Sequence, residues 1–298
     1  SKYITFGLPA GSIGEARPRL ERVEADVTGN LKRLGVPSEA LDGRERLALL
    51  HGQMHPGSRE AFCFSWQDIP KTGMGTKDYI APDSFDFRQS RTFRVGQYWG
   101  AASYLQILAS ELSDKLLSEI LELDAELTVT MHVQTVDQLK AIKTVKGKLS
   151  DIGKMKVEEQ RKAVRAGYDP DILPPDLITF SKDAAELLAD LQSRNERMFL
   201  LTFTVVNLAP TRQRLENDVF TVGGIAQKYN CALKRLDWQQ EQGFVSSLAL
   251  GYNEVEIQRG MTTSSTAIFI PFMTRELRMA GPSLYYLSLI HISEPTRP

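Results

Sequence analysis

The stretch Glu126-Leu-Thr-Val-Thr-Met-His-Val133 alternates apolar and polar side chains, and this alternation decides the fold class. A period of two residues is typical of a β-strand that buries one face. A second strand-like run extends from Met198 to Val206, and a long helical pattern separates the two. Because strands alternate with helices in this way, we expect an α+β fold, a mixed sheet with packed helices.

The helical pattern between these strands places apolar residues three or four positions apart, as an amphipathic helix requires. Its stripe consists of Leu139, Ile142, Val145, Leu149 and Ile152. Capping residues and periodicity predict further helices after Ser12 and Asp42, and over Ser181–Arg194 and Pro210–Tyr229. Further strands are predicted over Tyr3–Leu8, Ala61–Trp66, Ser84–Phe87, Cys231–Leu236 and Ala267–Phe272.

The composition excludes some classes of protein but does not identify a function. The 298 residues include 36 basic and 37 acidic side chains, so the net charge of -1 gives no overall attraction to nucleic acid or anionic lipid. The two cysteines, Cys63 and Cys231, cannot build a disulfide scaffold and are predicted to be reduced, part-buried thiols of a cytosolic protein. The longest apolar run, Phe199–Val206, is far shorter than the roughly 20 residues of a membrane helix.

Two short motifs resemble ligand sites, but each lacks a part that its chemistry needs. His51 and His55 have the i, i+4 spacing of a helical zinc pair, yet Gly52 stands where a zinc protease carries its glutamate base. Thr72-Gly-Met-Gly-Thr-Lys77 is glycine-rich, yet it does not match G-x-x-x-x-G-K-[ST], and Asp78 would repel a phosphate. We therefore predict no catalytic, cofactor-binding or metal-binding residue, and expect two exposed histidines and a flexible surface loop.

Basic residues are concentrated on the long helix. Residues 135–167 carry nine basic and four acidic side chains, a net charge of +5. This face is a candidate surface for an anionic partner such as nucleic acid, lipid headgroups or an acidic protein. The solvated outer face of an amphipathic helix would have the same composition. The candidate residues are Lys140, Lys143, Lys146, Lys148, Lys154, Lys156, Arg161, Lys162 and Arg165.

One region resembles a known family. Glu256-Ile-Gln-Arg-Gly-Met-Thr-Thr-Ser-Ser-Thr-Ala-Ile-Phe-Ile-Pro-Phe-Met-Thr-Arg-Glu-Leu277 is similar to the approach to the motor domain in conjugative type IV secretion ATPases of the VirB/TraC/TrbE class. The likeness is greatest to those of integrative conjugative elements. Upstream, Lys2–Phe6, Arg19–Arg22, Leu34–Val36 and Leu41–Leu47 resemble the N-terminal domain of that family. The junction motif comprises Arg259, Gly260, Thr262, Thr263, Pro271 and Phe272.

The resemblance implies a domain plan and a cellular setting. Residues 1–254 would be an N-terminal docking and assembly domain, incomplete at its start, and residues 255–286 the junction and first strand-like segment of a RecA-like α/β motor domain. The whole protein would be a cytoplasmic ATPase at the inner face of the cell membrane, and its partners would be other secretion subunits there. It would form a homo-oligomer, expected to be hexameric, and use ATP and magnesium at a site beyond the residues present here.

The last twelve residues, Leu287-Ser-Leu-Ile-His-Ile-Ser-Glu-Pro-Thr-Arg-Pro298, fit neither a helix nor a strand period. They resemble the translation of a sequencing adapter, and we expect them not to be native. A real divergent tail is the alternative. Two other functions stay open: a non-enzymatic module that binds nucleic acid or a membrane surface through residues 135–167, and a stand-alone scaffold protein that shares only the fold.

Overall fold

The computed structural model describes residues 2–58, 61–108, 113, 115–169, 173–193 and 196–269. Within them the chain has an α+β fold, as predicted, but the sheet is antiparallel throughout and not mixed. Seven strands form one sheet in which every pair is antiparallel, and helices cover both faces of it.

The strands differ widely in length, and the three longest form the middle of the sheet and one of its edges. They are β1 (Phe85–Asp86), β2 (Phe93–Val95), β3 (Tyr98–Ile107), β4 (Glu126–Thr135), β5 (Met198–Ala209), β6 (Cys231–Arg235) and β7 (Arg259–Thr262).

Ten helices lie in the described part of the chain, three of them single turns. They are α1 (Ile13–Arg33), α2 (Gly43–Met54), α3 (Ile69–Thr72), α4 (Thr76–Ile80), α5 (Lys115–Leu121), α6 (Gln138–Ala166), α7 (Pro175–Ser193), α8 (Arg212–Lys228), α9 (Gln240–Ser247) and α10 (Thr263–Ala267).

Strand β5 organises the sheet. Strand β4 pairs along one edge of β5, while β3 and β7 share the opposite edge end to end. Strand β3 in turn pairs with β2 and β6 along its outer edge, and β1 follows β2. Because successive side chains of a strand point to opposite faces, β5 supplies two separate cores.

Helices α5 and α8 cover one face of the sheet. Phe203 and Val205 of β5 pack there with Ile120 of α5 and Val222 of α8, all nearly inaccessible to water. Phe269, which follows α10, completes this core with its ring centre 4.5 Å from that of Phe203. The chain after residue 254 therefore contributes to the same sheet and core, while the proposed domain boundary at that point stays a prediction.

Helices α2 and α9 cover the other face. Val206 of β5 packs there with Leu50 of α2 and Phe244 of α9, together with Val255. Helix α2 begins in a capping box, in which the Asp42 carboxylate accepts the Glu45 N–H and the Glu45 carboxylate accepts the Asp42 N–H.

Helices α6 and α7 form an antiparallel hairpin between the adjacent strands β4 and β5. Thr135, the last residue of β4, is paired with Phe199 near the start of β5. The next residue, Val136, donates its N–H to the Met198 carbonyl oxygen at 3.2 Å. The hairpin therefore leaves and rejoins the sheet at the same place.

Three predicted strands are wrong where the structure describes them. Residues 3–8 run beside the loop at Gly251 and pair with no described strand. Residues 61–66 are also irregular, because Phe64 packs edge-on against Trp66 and Tyr79 in an aromatic cluster under α2. The strand predicted over 267–272 begins as the end of α10, which Thr262 caps by accepting the Ser265 N–H, and 270–272 lie outside the described residues.

The other predicted elements are confirmed within a few residues. Helices after Ser12 and Asp42, the long helix, and a helix after Thr211 are all present. Helix α7 begins six residues earlier than predicted, at Pro175, and β1 is shorter than the predicted Ser84–Phe87.

Candidate docking surface

The α6–α7 hairpin is a separate arm of the molecule. Helix α6 has 29 residues, which corresponds to a length of about 43 Å. It packs chiefly against α7. The two helices pack together near the sheet through the buried side chains of Ala141, Val145 and Leu191. Met198 of β5 packs against this cluster. The half of the arm nearer the sheet is therefore anchored in a small apolar core of its own.

All nine basic residues predicted as an anion-binding face occur on α6, and eight of them are exposed. The ninth, Lys156, is half-buried because its Nζ donates to the Ser181 Oγ of α7 at 2.8 Å. Two exposed lysines have local partners: Lys154 pairs with Asp151 at 3.1 Å and Lys162 with Glu159 at 2.7 Å. Such exposed pairs contribute little to stability.

Six of the nine basic residues have a charge that is available to an external partner. They form no ion pair with any residue in the described ranges: Lys140, Lys143, Lys146, Lys148, Arg161 and Arg165. A helix turns about 100° per residue, so Lys143 and Arg161 lie on the side opposite the buried Ala141–Val145 stripe. The geometry thus presents uncompensated positive charge to solvent, and the anionic partner stays a prediction.

The half of the arm farther from the sheet also exposes large apolar side chains. Val157 and Val164 flank Arg161 at spacings of four and three, so the three share one stripe of α6. Tyr168, Ile178 and Phe180 are also exposed there. Apolar and aromatic side chains among arginines are typical of surfaces that bind another macromolecule.

The described part of the junction motif forms β7 and the start of α10. Arg259, Gly260 and Thr262 pair with β5, and the Arg259 guanidinium contacts the Ile107 carbonyl oxygen at the end of β3. Thr263 Oγ1 accepts the Arg197 N–H at 3.0 Å. These residues hold strands together, whereas Pro271 and Phe272 lie outside the described residues.

The histidine pair on α2 has a structural role. The imidazole rings of His51 and His55 stack with their centres 3.9 Å apart, and His55 Nδ1 donates to the His51 carbonyl oxygen at 3.0 Å. Both side chains are half-buried, so the expectation of two exposed histidines is wrong. No cluster of three metal-ligating side chains occurs in the part of the chain that the structure describes.

The glycine-rich loop does not fit a nucleotide. The predicted flexible loop is wrong in part, because helix α4 begins within it at Thr76. The Asp78 carboxylate accepts the Gly75 N–H at 2.7 Å, at the position where a phosphate oxygen would have to bind. The chain also contains no G-x-x-x-x-G-K-[ST] sequence. This loop therefore does not provide a Walker A site for ATP and magnesium.

The two thiols differ in environment. Cys63 is exposed, so the expectation of a part-buried thiol is wrong for this residue. Cys231 lies in the core under α8, where burial raises the pKa of its thiol.

A cavity of about 400 Å³ was missed by the sequence analysis. It lies between α8, the loop before β2 and the end of β6, and three arginines line it: Arg91, Arg212 and Arg235. These residues come from three distant segments, and no local pattern connects them. Only the strand register, which brings β6 beside β3, could have placed them together.

None of the described helices is both long enough and apolar enough to cross a membrane. No protein-family model matches the chain. No curated protein matches it significantly in sequence either.

Proposed function

We propose that this chain is the docking part of a conjugative type IV secretion ATPase, a binding module without an ATP site of its own. The observation that carries the proposal is the α6–α7 arm with six uncompensated basic residues on α6. An arm of this kind positions a charged surface away from the body of the protein. The resemblance of residues 256–277 to the approach to the motor domain supports the choice of family.

In this proposal the arm binds an anionic surface at the inner face of the cell membrane, either lipid headgroups or acidic regions of neighbouring secretion subunits. Electrostatic attraction would bring the basic face of α6 to that surface. The exposed Val157, Val164 and Tyr168 would then add apolar contact. In the same proposal, ATP hydrolysis and magnesium binding belong to the nucleotide site of the motor domain, of which residues 255–286 would form only the first segment, and homo-oligomer formation belongs to the whole ATPase.

The binding half of the proposal is tested with vesicles. The purified chain should sediment with vesicles containing phosphatidylglycerol and not with pure phosphatidylcholine, and binding should weaken as salt rises. The double change Lys143→Glu and Arg161→Glu should abolish sedimentation. A matched control, Arg22→Glu with Lys32→Glu on the exposed face of α1, should leave it intact. Equal loss in both double variants would contradict a role for α6.

The enzymatic half is tested by a hydrolysis assay. We expect no magnesium-dependent release of phosphate from ATP by the purified chain, because its sequence contains no Walker A loop to hold the phosphates and magnesium. Reproducible hydrolysis that survives further purification would exclude a pure docking role.

A second candidate function is binding of double-stranded nucleic acid through the same face of α6. Uncompensated lysines and arginines along one helix suit a phosphate backbone. Residues 135–167 contain no aromatic side chain, so stacking on single strands is not supported. A steep salt dependence of duplex binding, lost in the Lys143→Glu, Arg161→Glu variant, would favour this function over membrane docking.

A further inference from the structure

The arginine-lined cavity lies far along the chain from the α6–α7 arm and has a different shape. Its volume of about 400 Å³ is within the range of small-molecule sites, whereas the arm presents an open surface. One wall is a single face of α8, since Arg212, Glu216, Val219 and Phe220 are spaced by four, three and one residues. Arg91 and Arg235 complete the lining from the loop before β2 and the end of β6.

The inner part of the cavity is fixed by one ion pair. Both nitrogens at the end of Arg235 donate to the Glu216 carboxylate, at 3.1 and 2.5 Å, and the Arg235 side chain is 11% exposed. Such a two-bond pair holds both groups in a single geometry. Arg235 binds both carboxylate oxygens of Glu216, so this carboxylate is paired chiefly with Arg235, and the charges of Arg212 and Arg91 act on it more weakly.

The positive charges converge on one place. The hydrogen bonds from Arg235 are the main reason why the pKa of Glu216 lies below its ordinary value, and the charges of Arg212 and Arg91 lower it further. All three guanidinium groups therefore act on the same small volume. The cavity carries three positive charges against the single negative charge of Glu216.

Two of the arginines are available to a ligand. Arg212 makes no hydrogen bond or ion pair with any residue that the structure describes, and its guanidinium lies 5.7 Å from the centre of the Trp99 ring, which orients it. Arg91 pairs with Asp237 at 3.1 Å, but both side chains are about three-fifths exposed, so this pair is weak and exchangeable. Together the two guanidinium groups can donate several hydrogen bonds to an oxyanion.

The outer wall of the cavity is apolar and aromatic. Phe220 is 83% exposed although it is a large apolar residue, and Val219 lies beside it. An exposed ring next to free guanidinium groups matches a ligand that has an anionic end and a flat end. We propose that this cavity binds a phosphate-bearing small molecule with a planar ring, such as a nucleoside monophosphate, with its phosphate on Arg91 and Arg212 and its ring against Phe220.

Calorimetric titration with AMP and with inorganic phosphate tests this site in the intact chain. AMP should bind, and inorganic phosphate should bind more weakly because it lacks the ring. Arg212→Gln should weaken AMP binding about tenfold or more, since it removes charge-assisted hydrogen bonds. Phe220→Ala should weaken binding of AMP and leave that of inorganic phosphate unchanged.

The matched control is Arg214→Gln, which removes the same charge from the same helix outside the cavity lining. It should leave AMP affinity unchanged, and equal unfolding temperatures for the three variants would show that each is folded. Equal affinity for AMP and inorganic phosphate would overturn the proposal, as would AMP binding that Arg212→Gln does not weaken. These results are independent of vesicle binding, so the cavity and the docking arm can fail separately.

Discussion

His132 Nε2 donates to the Ser246 carbonyl oxygen across 2.7 Å and so joins β4 to the end of α9. Its neighbour on the same face of β4, Thr130, donates through Oγ1 to the Ser247 carbonyl oxygen at 3.1 Å. The polar side chains of β4 therefore contact the C-terminal end of α9, where they donate to carbonyl groups that have no hydrogen-bond partner within the helix. Because a carbonyl oxygen only accepts, the Nε2 atom of His132 carries a proton when the ring is neutral.

This contact predicts a pH dependence of stability. Burial lowers the pKa of His132, with the Ser246 carbonyl acting in the opposite direction, so the folded protein resists protonation of the ring. The contribution to stability is therefore complete above the unfolded pKa of about 6.5 and is lost as pH falls through the lower, folded pKa. Urea unfolding between pH 8 and 5 should show this loss.

His132→Leu should flatten that pH dependence and lower the free energy of unfolding at pH 8 by about 1 kcal/mol, because the hydrogen bond is absent. Thr130→Val is the control, since it removes the adjacent bond to α9 and leaves the titrating group. An unchanged slope in the His132 variant would show that another group causes the acid sensitivity.

Gln240 is a buried hydrogen-bonding side chain whose loss should be costly. Its Oε1 accepts the Ala102 N–H at 2.8 Å, and its Nε2 donates to the carbonyl oxygens of Ala102 and Leu236 at 3.0 and 2.8 Å. Gln240→Met keeps the volume and leaves the Ala102 N–H unpaired, so we expect a loss of about 1–3 kcal/mol in chemical denaturation. The exposed neighbour supplies the comparison, because Gln239→Met should change stability by under about 0.5 kcal/mol.

Two glycines in helices should respond to alanine with opposite signs. A Cβ atom at Gly243 would lie 2.6 Å from Ala102 Cβ and from Leu236 Cδ1, so Gly243→Ala should destabilise the protein by about 1–3 kcal/mol. A Cβ atom at Gly147 of α6 would meet nothing within 4 Å, so Gly147→Ala should stabilise it by about 0.5–1 kcal/mol. Thermal unfolding of both variants measures the two effects, and stabilisation by Gly243→Ala would mean that α9 does not approach β3 this closely.

Phe269 tests whether the chain beyond residue 254 stabilises the sheet. Its ring is 1% exposed and packs on Phe203, so Phe269→Ala should cost about 3–5 kcal/mol. Ile268→Ala, one residue earlier and more exposed, should cost much less. If the two variants unfold at the same denaturant concentration, the segment after residue 254 does not share the core.

Hydrophobic periodicity predicted the long strands and helices, whereas closely packed segments showed no recognisable period. The apolar side of β4 packs on the core through Leu127, Val129 and Met131, and α6 buries Ala141 and Val145, so both sequences carry a clear period. Strand β3 was missed because it is buried on both faces and contains Gly100-Ala-Ala-Ser103, which has no alternation. These small residues serve close contact, since a Cβ atom at Gly100 would lie 2.3 Å from the Phe93 ring.

The candidate surface was partly predictable for the same physical reason. The charges of α6 are contiguous in sequence, so their exposed face followed from one helical period. The sequence could not show that the exposed Val157 and Val164 would share that arm with Phe180 of α7, because this depends on how two helices pair. The cavity depends on the register of strands that are distant in sequence, so no local sequence pattern predicts it.

The closed base of the α6–α7 arm has an evolutionary and practical consequence. Thr135 already pairs with Phe199, so a tight turn between them would complete the β4–β5 ladder as well as the long hairpin does. The stretch 138–193, which comprises the two helices and their connection, is then exchangeable. Insertions or replacements can change its length, its charge and the residues at its tip, while the register of the β4–β5 ladder stays the same.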